Sequence, residues 1–156
     1  VHSQHSEAMD GCKVESFMTP AARVRMLPAT ASVAEAAQFL SEQHISCVVI
    51  SDADGAAIGL ISKSDICKHV GLGHDVAAPV SGIMSTTLLT VRAEDSRDSC
   101  ADALFTHKLH HLIVVGDDKK FVGLVSAWDF ARQVAVAIRE KRERTEEEHL
   151  AARAMW

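Results

Sequence analysis

Gly59-Leu60-Ile61-Ser62-Lys63-Ser64-Asp65 returns sixty-four residues later as Gly123-Leu124-Val125-Ser126-Ala127-Trp128-Asp129. Each copy closes an apolar run and opens a stretch with helical periodicity. The same offset pairs residues 29–70 with 93–134 without a gap, and ten positions in that window are identical. Among them are Ala37/Ala101, Leu40/Leu104, Gly59/Gly123, Ser62/Ser126 and Asp65/Asp129. Upstream, Val14-x-x-Phe17-Met18 is answered by Val80-x-x-Ile83-Met84, after which the first copy carries two extra residues. Internal duplication on this scale governs the fold before any single motif does.

Each copy reads as strand, helix, strand, strand, helix. In the first, residues 25–27 form a short opening strand. Ser32 is an N-cap with Glu35 three residues on, the spacing of a capping box. Val33, Ala36, Ala37 and Leu40 make the buried stripe of the helix. Residues 47–50 are an apolar strand, Asp54-Gly55 a hairpin turn, and 58–61 the return strand. Ser62 or Ser64 then starts a helix running to Val70. The second copy repeats this with a strand over 88–91, a helix over 96–108, strands over 112–115 and 121–125, and a helix from Ala127. Residues 71–79, with Gly and Pro, link the copies. A unit of about sixty residues buries too little surface to be comfortable alone. The expected fold is α+β: two repeats packed by pseudo-twofold symmetry, with a cleft between them lined by equivalent residues. The divisions are an N-terminal tail over 1–12, repeats over 13–78 and 79–140, and a C-terminal helical extension over 141–156.

Composition narrows the function. The 156-residue chain is 47% hydrophobic but only 4% aromatic, so its core is aliphatic. Net charge is −5 with no basic block, which argues against nucleic acid as a partner. No apolar run approaches the ~20 residues that span a bilayer, and no signal peptide is visible. The four cysteines form no C-x-x-C pair, and a reducing cytoplasm fits them best. Nucleophile-elbow, Walker and H-E-x-x-H motifs are all missing, so an enzyme is not expected. His107, His110 and His111 have spacings that suit a metal on one helix face. The repeat instead places them across a helix-to-strand turn, and no metal site is expected.

The Ser-x-x-Asp pairs carry the remaining chemistry. A strand-to-helix junction presents backbone N–H groups and the positive end of a helix dipole, a seat for an anion. A carboxylate there accepts hydrogen bonds from two adjacent sugar hydroxyls, as acidic residues do in dinucleotide-binding folds. The competing reading is ordinary capping, which uses the same residues. Recurrence at the same point of a duplicated unit favours a site. Trp128, in the first turn of a helix, reads as half-buried packing rather than a base-stacking platform.

With these motifs in place, residues 13–140 resemble the cystathionine-β-synthase (CBS) domain family. The resemblance rests on Val14-x-x-Phe17-Met18-Thr19-Pro20, Ser32-Val33-x-Glu35-Ala36-Ala37, the run 45–52 and Gly59-Leu60-Ile61-Ser62-x-x-Asp65. The second copy matches through Ile83-Met84-Ser85, the run 109–115 and Gly123-Leu124-Val125-Ser126-x-x-Asp129. It implies a tandem, or Bateman, module that binds an adenosine-containing ligand (AMP, ADP, ATP or S-adenosylmethionine) and regulates another protein. It implies a homodimer, with no cofactor required beyond the regulatory nucleotide. By that resemblance Asp65 and Asp129 hold ribose hydroxyls, Ser62 and Ser126 lie beside them, and the segments around Leu27 and Val91 contact adenine. The chain departs from the family where Val49 and Ile113 replace a frequent proline, and where Ser64 and Trp128 replace a basic residue before the Asp. Lys63 is then the nearest cation in copy one, and Arg92, His110 and His111 are the candidates in copy two. So thin a basic complement favours AMP, ADP or a methylated adenosine over a triphosphate, and copy two over copy one. The alternative is a ligand-free interaction module that oligomerises through its C-terminal helix.

Overall fold

The structure is a computed structural model that describes residues 12–154. The N-terminal histidines His2 and His5, and the apolar tip Met155-Trp156, lie outside the described residues. After a short strand β1 (Thr19–Pro20), the first copy contains β2 (Met26–Pro28), α1 (Val33–Glu42), β3 (Cys47–Ser51), β4 (Ala57–Ser62) and α2 (Lys63–Gly71). The second contains β5 (Thr90–Arg92), α3 (Arg97–His107), β6 (His111–Val115), β7 (Phe121–Ser126) and α4 (Ala127–Ala154). Every element of the second copy opens sixty-four residues after its counterpart: Met26 and Thr90, Val33 and Arg97, Cys47 and His111, Ala57 and Phe121, Lys63 and Ala127.

Local chemistry accounts for these boundaries. The Ser32 hydroxyl accepts from the Glu35 amide while the Glu35 carboxylate accepts from the Ser32 amide, closing the expected capping box. Ser96 caps α3 through the Ser99 amide. Gly55, at φ +81°, turns the β3–β4 hairpin, and the Asp52 carboxylate accepts from the amides of Asp54 and Ala56 inside it. The opening strands begin later than the sequence suggests, at Met26 and Thr90. They are strands only where parallel partners exist, Met26–Pro28 against Val49–Ser51 and Thr90–Arg92 against Ile113–Val115.

Each copy forms a small sheet, β2-β3-β4 in the first and β5-β6-β7 in the second. Val33, Ala36, Leu40, Val48, Ile50 and Ile61 make the first core, and Val91, Cys100, Leu104, Leu112, Val114 and Val125 the second. The lead-in segments are exchanged between them. Val14 and Phe17 are buried in the second core, and β1 pairs antiparallel with β7. Reciprocally, Val80 is buried in the first core with Ile83 and Met84 packed against it, and Ser85 bridges to Leu60 of β4. A cut after residue 78 separates the copies in sequence but would part each core from the segment it borrows.

The motif glycines make room for this exchange. A Cβ on Gly123 would stand 2.7 Å from the Thr19 carbonyl oxygen and 2.8 Å from Met18 Sδ. One on Gly59 would meet the flexible Met84 side chain at 2.5 Å and the Ser85 carbonyl at 3.2 Å. Gly123→Ala is therefore expected to cost about 1–3 kcal/mol, because backbone must shift. Gly59→Ala is expected to cost less, because the end of Met84 can move first. Urea midpoints of the two variants test that ranking, and equal losses would contradict it.

Candidate ligand-binding site

Both Ser-x-x-Asp motifs form capping boxes with the same geometry. Ser62 N–H and Oγ–H donate to Asp65 Oδ2 at 2.8 and 2.6 Å, and Asp65 N–H donates to Ser62 Oγ at 3.3 Å. Ser126 and Asp129 repeat these contacts at 2.8, 2.6 and 3.3 Å. The hydroxyl proton of each serine is thus committed to its carboxylate. Asp65 Oδ1 accepts no hydrogen bond among the described residues, and Asp129 Oδ1 lies 4.0 Å from Arg132. Each acid therefore holds a helix start with one oxygen and keeps the other for a partner.

Each carboxylate opens into a cleft completed by the other copy. The Asp65 cleft, about 540 Å³, is lined by Ser62, Lys63 and Leu60 from the first copy and by Leu88, Leu89, Lys108, Leu109 and His110 from the second. The Asp129 cleft, about 620 Å³, is lined by Ser126, Trp128 and Leu124 from the second copy and by Arg23, Val24, Arg25, His44 and Ile45 from the first. The apolar walls correspond by the repeat: Leu88 to Val24, Leu109 to Ile45, Leu60 to Leu124. Both volumes suit a small-molecule ligand, for which pockets run roughly 300–1,000 Å³.

A family model for the CBS domain matches residues 14–71 and again 80–136. The chain belongs to the CBS domain family. An uncharacterized 17.7 kDa protein from the bps2 3' region of Acidianus ambivalens is 26% identical over 110 residues, covering 70% of this chain and 66% of that one. Against longer relatives, enzymes among them, the matched stretch is only 20% or 19% of the whole. The crystal structure of CBSX2 in complex with AMP has a TM-score of 0.70 at 24% identity, over 83% of this chain and 99% of that one. The CBS domain pair of protein MJ0100, in complex with 5'-methylthioadenosine and S-adenosyl-L-methionine, has a TM-score of 0.71 at 22% identity, over 80% and 97%. These structural likenesses are likenesses of fold.

The CBS pair brings together most of the candidate residues and sets three aside. Ser62, Lys63, Asp65, His110, His111, Ser126 and Asp129 all line one cleft or the other. Leu27 packs against the first core and Val91 is buried in the second, so neither lines a cleft. Both sit where parallel pairing draws the strand into the core, and the cleft walls come from the residues just before, 24–25 and 88–89. Arg92 is also outside both clefts, held on the surface by Glu94 and by Asp117 at 3.0 Å. Trp128 corrects a further expectation: it is 76% exposed and lines both clefts instead of packing. Arg23 and Arg25 were missed, although the two extra residues of copy one mark the segment that carries them. Among the described residues, no three His, Cys, Asp or Glu side chains are grouped to hold a metal.

At the wall shared by the clefts, Ser46 Oγ and His111 Nε2 are 3.1 Å apart, a hydrogen bond across the two CBS copies. Burial holds the His111 imidazole below its ordinary value; His110 pushes the same way and Asp129 partly opposes. Burial also pushes the Cys47 thiol, its repeat counterpart, up to about 12. In the unfolded chain His111 titrates near 6.5. As pH falls past that value the unfolded state takes the proton first, so stability present above it is lost on acidification. His111→Gln keeps a polar group for Ser46 and is expected to flatten the fall in stability from roughly pH 7 to pH 5. Denaturation at several pH values measures this, and parallel curves for both chains would exclude His111 as the titrating group.

Proposed function

We propose that this CBS pair is a non-catalytic regulatory module that binds an adenosine-containing ligand (AMP, ADP, ATP or S-adenosylmethionine) between its copies and signals to another protein. The observation that carries the reading is the repeated cleft itself. Twice, a carboxylate with a spare oxygen faces an apolar wall from the opposite copy, with cations beside it. That combination suits a ribose diol, a purine ring and an anionic or polar tail. The complexes named above, CBSX2 with AMP and the MJ0100 pair with 5'-methylthioadenosine and S-adenosyl-L-methionine, support the ligand class. A ligand touching both copies favours one angle between them, and a partner reads the changed surface. The module works as a cytoplasmic homodimer, a setting in keeping with its four free thiols.

Ligand at a hundred times its dissociation constant adds about 2.7 kcal/mol, a rise of roughly 5–10 °C in Tm for a chain this size. Asp65→Ala and Asp129→Ala each remove a cap, worth about 0.3–1 kcal/mol without ligand. Each is also expected to remove the ligand-induced shift of its own cleft. A flat thermal-shift panel across the four compounds would overturn the proposal.

One feature favours a second reading, an interaction module working through α4. Val134, Ile138 and Leu150 are exposed on that helix. Under this reading, truncation after Ile138 abolishes self-association in light scattering while nucleotide binding persists.

A further inference from the structure

The two clefts share a plan but not a charge. In the Asp65 cleft the lead-in wall is Thr87, Leu88 and Leu89. In the Asp129 cleft its counterpart is Arg23, Val24 and Arg25. Lys63 lines both. The Asp129 cleft therefore holds two guanidinium groups and an ammonium against one carboxylate.

The placement of the arginines follows from the exchange of lead-in segments. β1 pairs with β7, and the turn Ala21–Arg23 that follows it lies against the same strand. β7 runs directly into Ser126 and the cap of α4. The two extra residues of copy one fall in this turn, beside the strand that delivers Asp129. Both arginines are exposed, and neither forms a salt bridge among the described residues, whereas Arg92 and Arg97 each pair with an acid. Unpaired guanidinium groups in a cleft suit phosphate oxygens, which they bind as planar forks.

We infer that the Asp129 cleft selects an adenosine ligand bearing more than one phosphate, with Arg23 and Arg25 as the specificity-determining residues. Asp129 takes the ribose, Val24 and Ile45 take the base, and the arginines take the phosphates beyond the first. The Asp65 cleft has Thr87 and Leu89 in their places, and with Lys63 and Lys108 but no guanidinium fork it discriminates less by phosphate number. The inference rests on the adenosine reading of the clefts.

Calorimetric titration of the full chain with AMP, ADP and ATP, without divalent cations, tests it. A charge-assisted hydrogen bond is worth enough to make ADP or ATP bind at least about tenfold more tightly than AMP. In the double variant Arg23→Gln/Arg25→Gln that ratio is expected to collapse towards one, while Arg92→Gln leaves it unchanged. Equal affinities for the three nucleotides in the wild-type chain would overturn the inference. A preference that survives the double variant would overturn it as well. Failure of all three to bind would overturn the adenosine reading and this inference with it.

Discussion

Thr19 and Ser85 reach the far copy as bare backbone, and the molecule is organised around those two crossings. Each three-stranded sheet and its helices would leave apolar surface in water if the lead-in segment stayed with its own copy. Instead Val14 and Phe17 fill the second core, and Val80, Ile83 and Met84 complete the first. Backbone pairs with backbone at the crossings, so the strand underneath must present no side chain. Gly123 and Gly59 meet that condition. The leading residue of each Gly-Leu-x-Ser-x-x-Asp motif is thus a packing requirement, and the last a polar one. They occur together because the strand that receives the foreign segment is the strand that delivers the capping box.

The crossings also decide what each cleft contains. A carboxylate at the start of α2 or α4 would face only its own sheet in an isolated repeat. Exchange brings the opposite copy's lead-in beside it, so every cleft joins an acid from one half to a wall from the other. The acid serves two tasks without conflict. One oxygen satisfies the amide and hydroxyl of the capping serine, which neutralises orphan donors at the helix start. The other is left with its lone pairs turned to no protein donor in α2, and only to a distant arginine in α4. In the proposed function, capping and ligand binding are two uses of one carboxylate, and the cap fixes the side chain's orientation in the cleft.

Much of this was legible in the chain. The repeat, the caps at Ser32, Ser62 and Ser126, the hairpin at Asp54-Gly55 and the paired Ser-x-x-Asp motifs are local, and local propensity and spacing encode them directly. The exchange was not legible, because a buried Val-x-x-Phe segment has the same pattern whichever core it enters. Leu27 and Val91 were misplaced for a related reason. They sit two or three residues beyond those that line the clefts, inside the stretch that parallel pairing draws into the core, and the sequence does not mark where that pairing begins. Arg92 drew attention as a cation near the second copy's opening strand, but its acidic neighbours Glu94 and Asp117 already hold it. Arg23 and Arg25 belong to the first copy in sequence but line the cleft of the second copy's acid, so a reading of each repeat by itself could not join them.

The asymmetry between the halves is concentrated at the wall the clefts share. Position for position, Lys63 faces Ala127 in the repeat and Ser64 faces Trp128. The charge of one helix start and the aromatic of the other both border the shared wall, where Lys63, Trp128 and His111 line both clefts. A strictly symmetric pair would offer two equal and separable sites. Here one lysine borders both clefts, and the His111–Ser46 hydrogen bond ties the same wall together across the copies. Duplication supplies the two clefts, and divergence at these few positions makes them unequal.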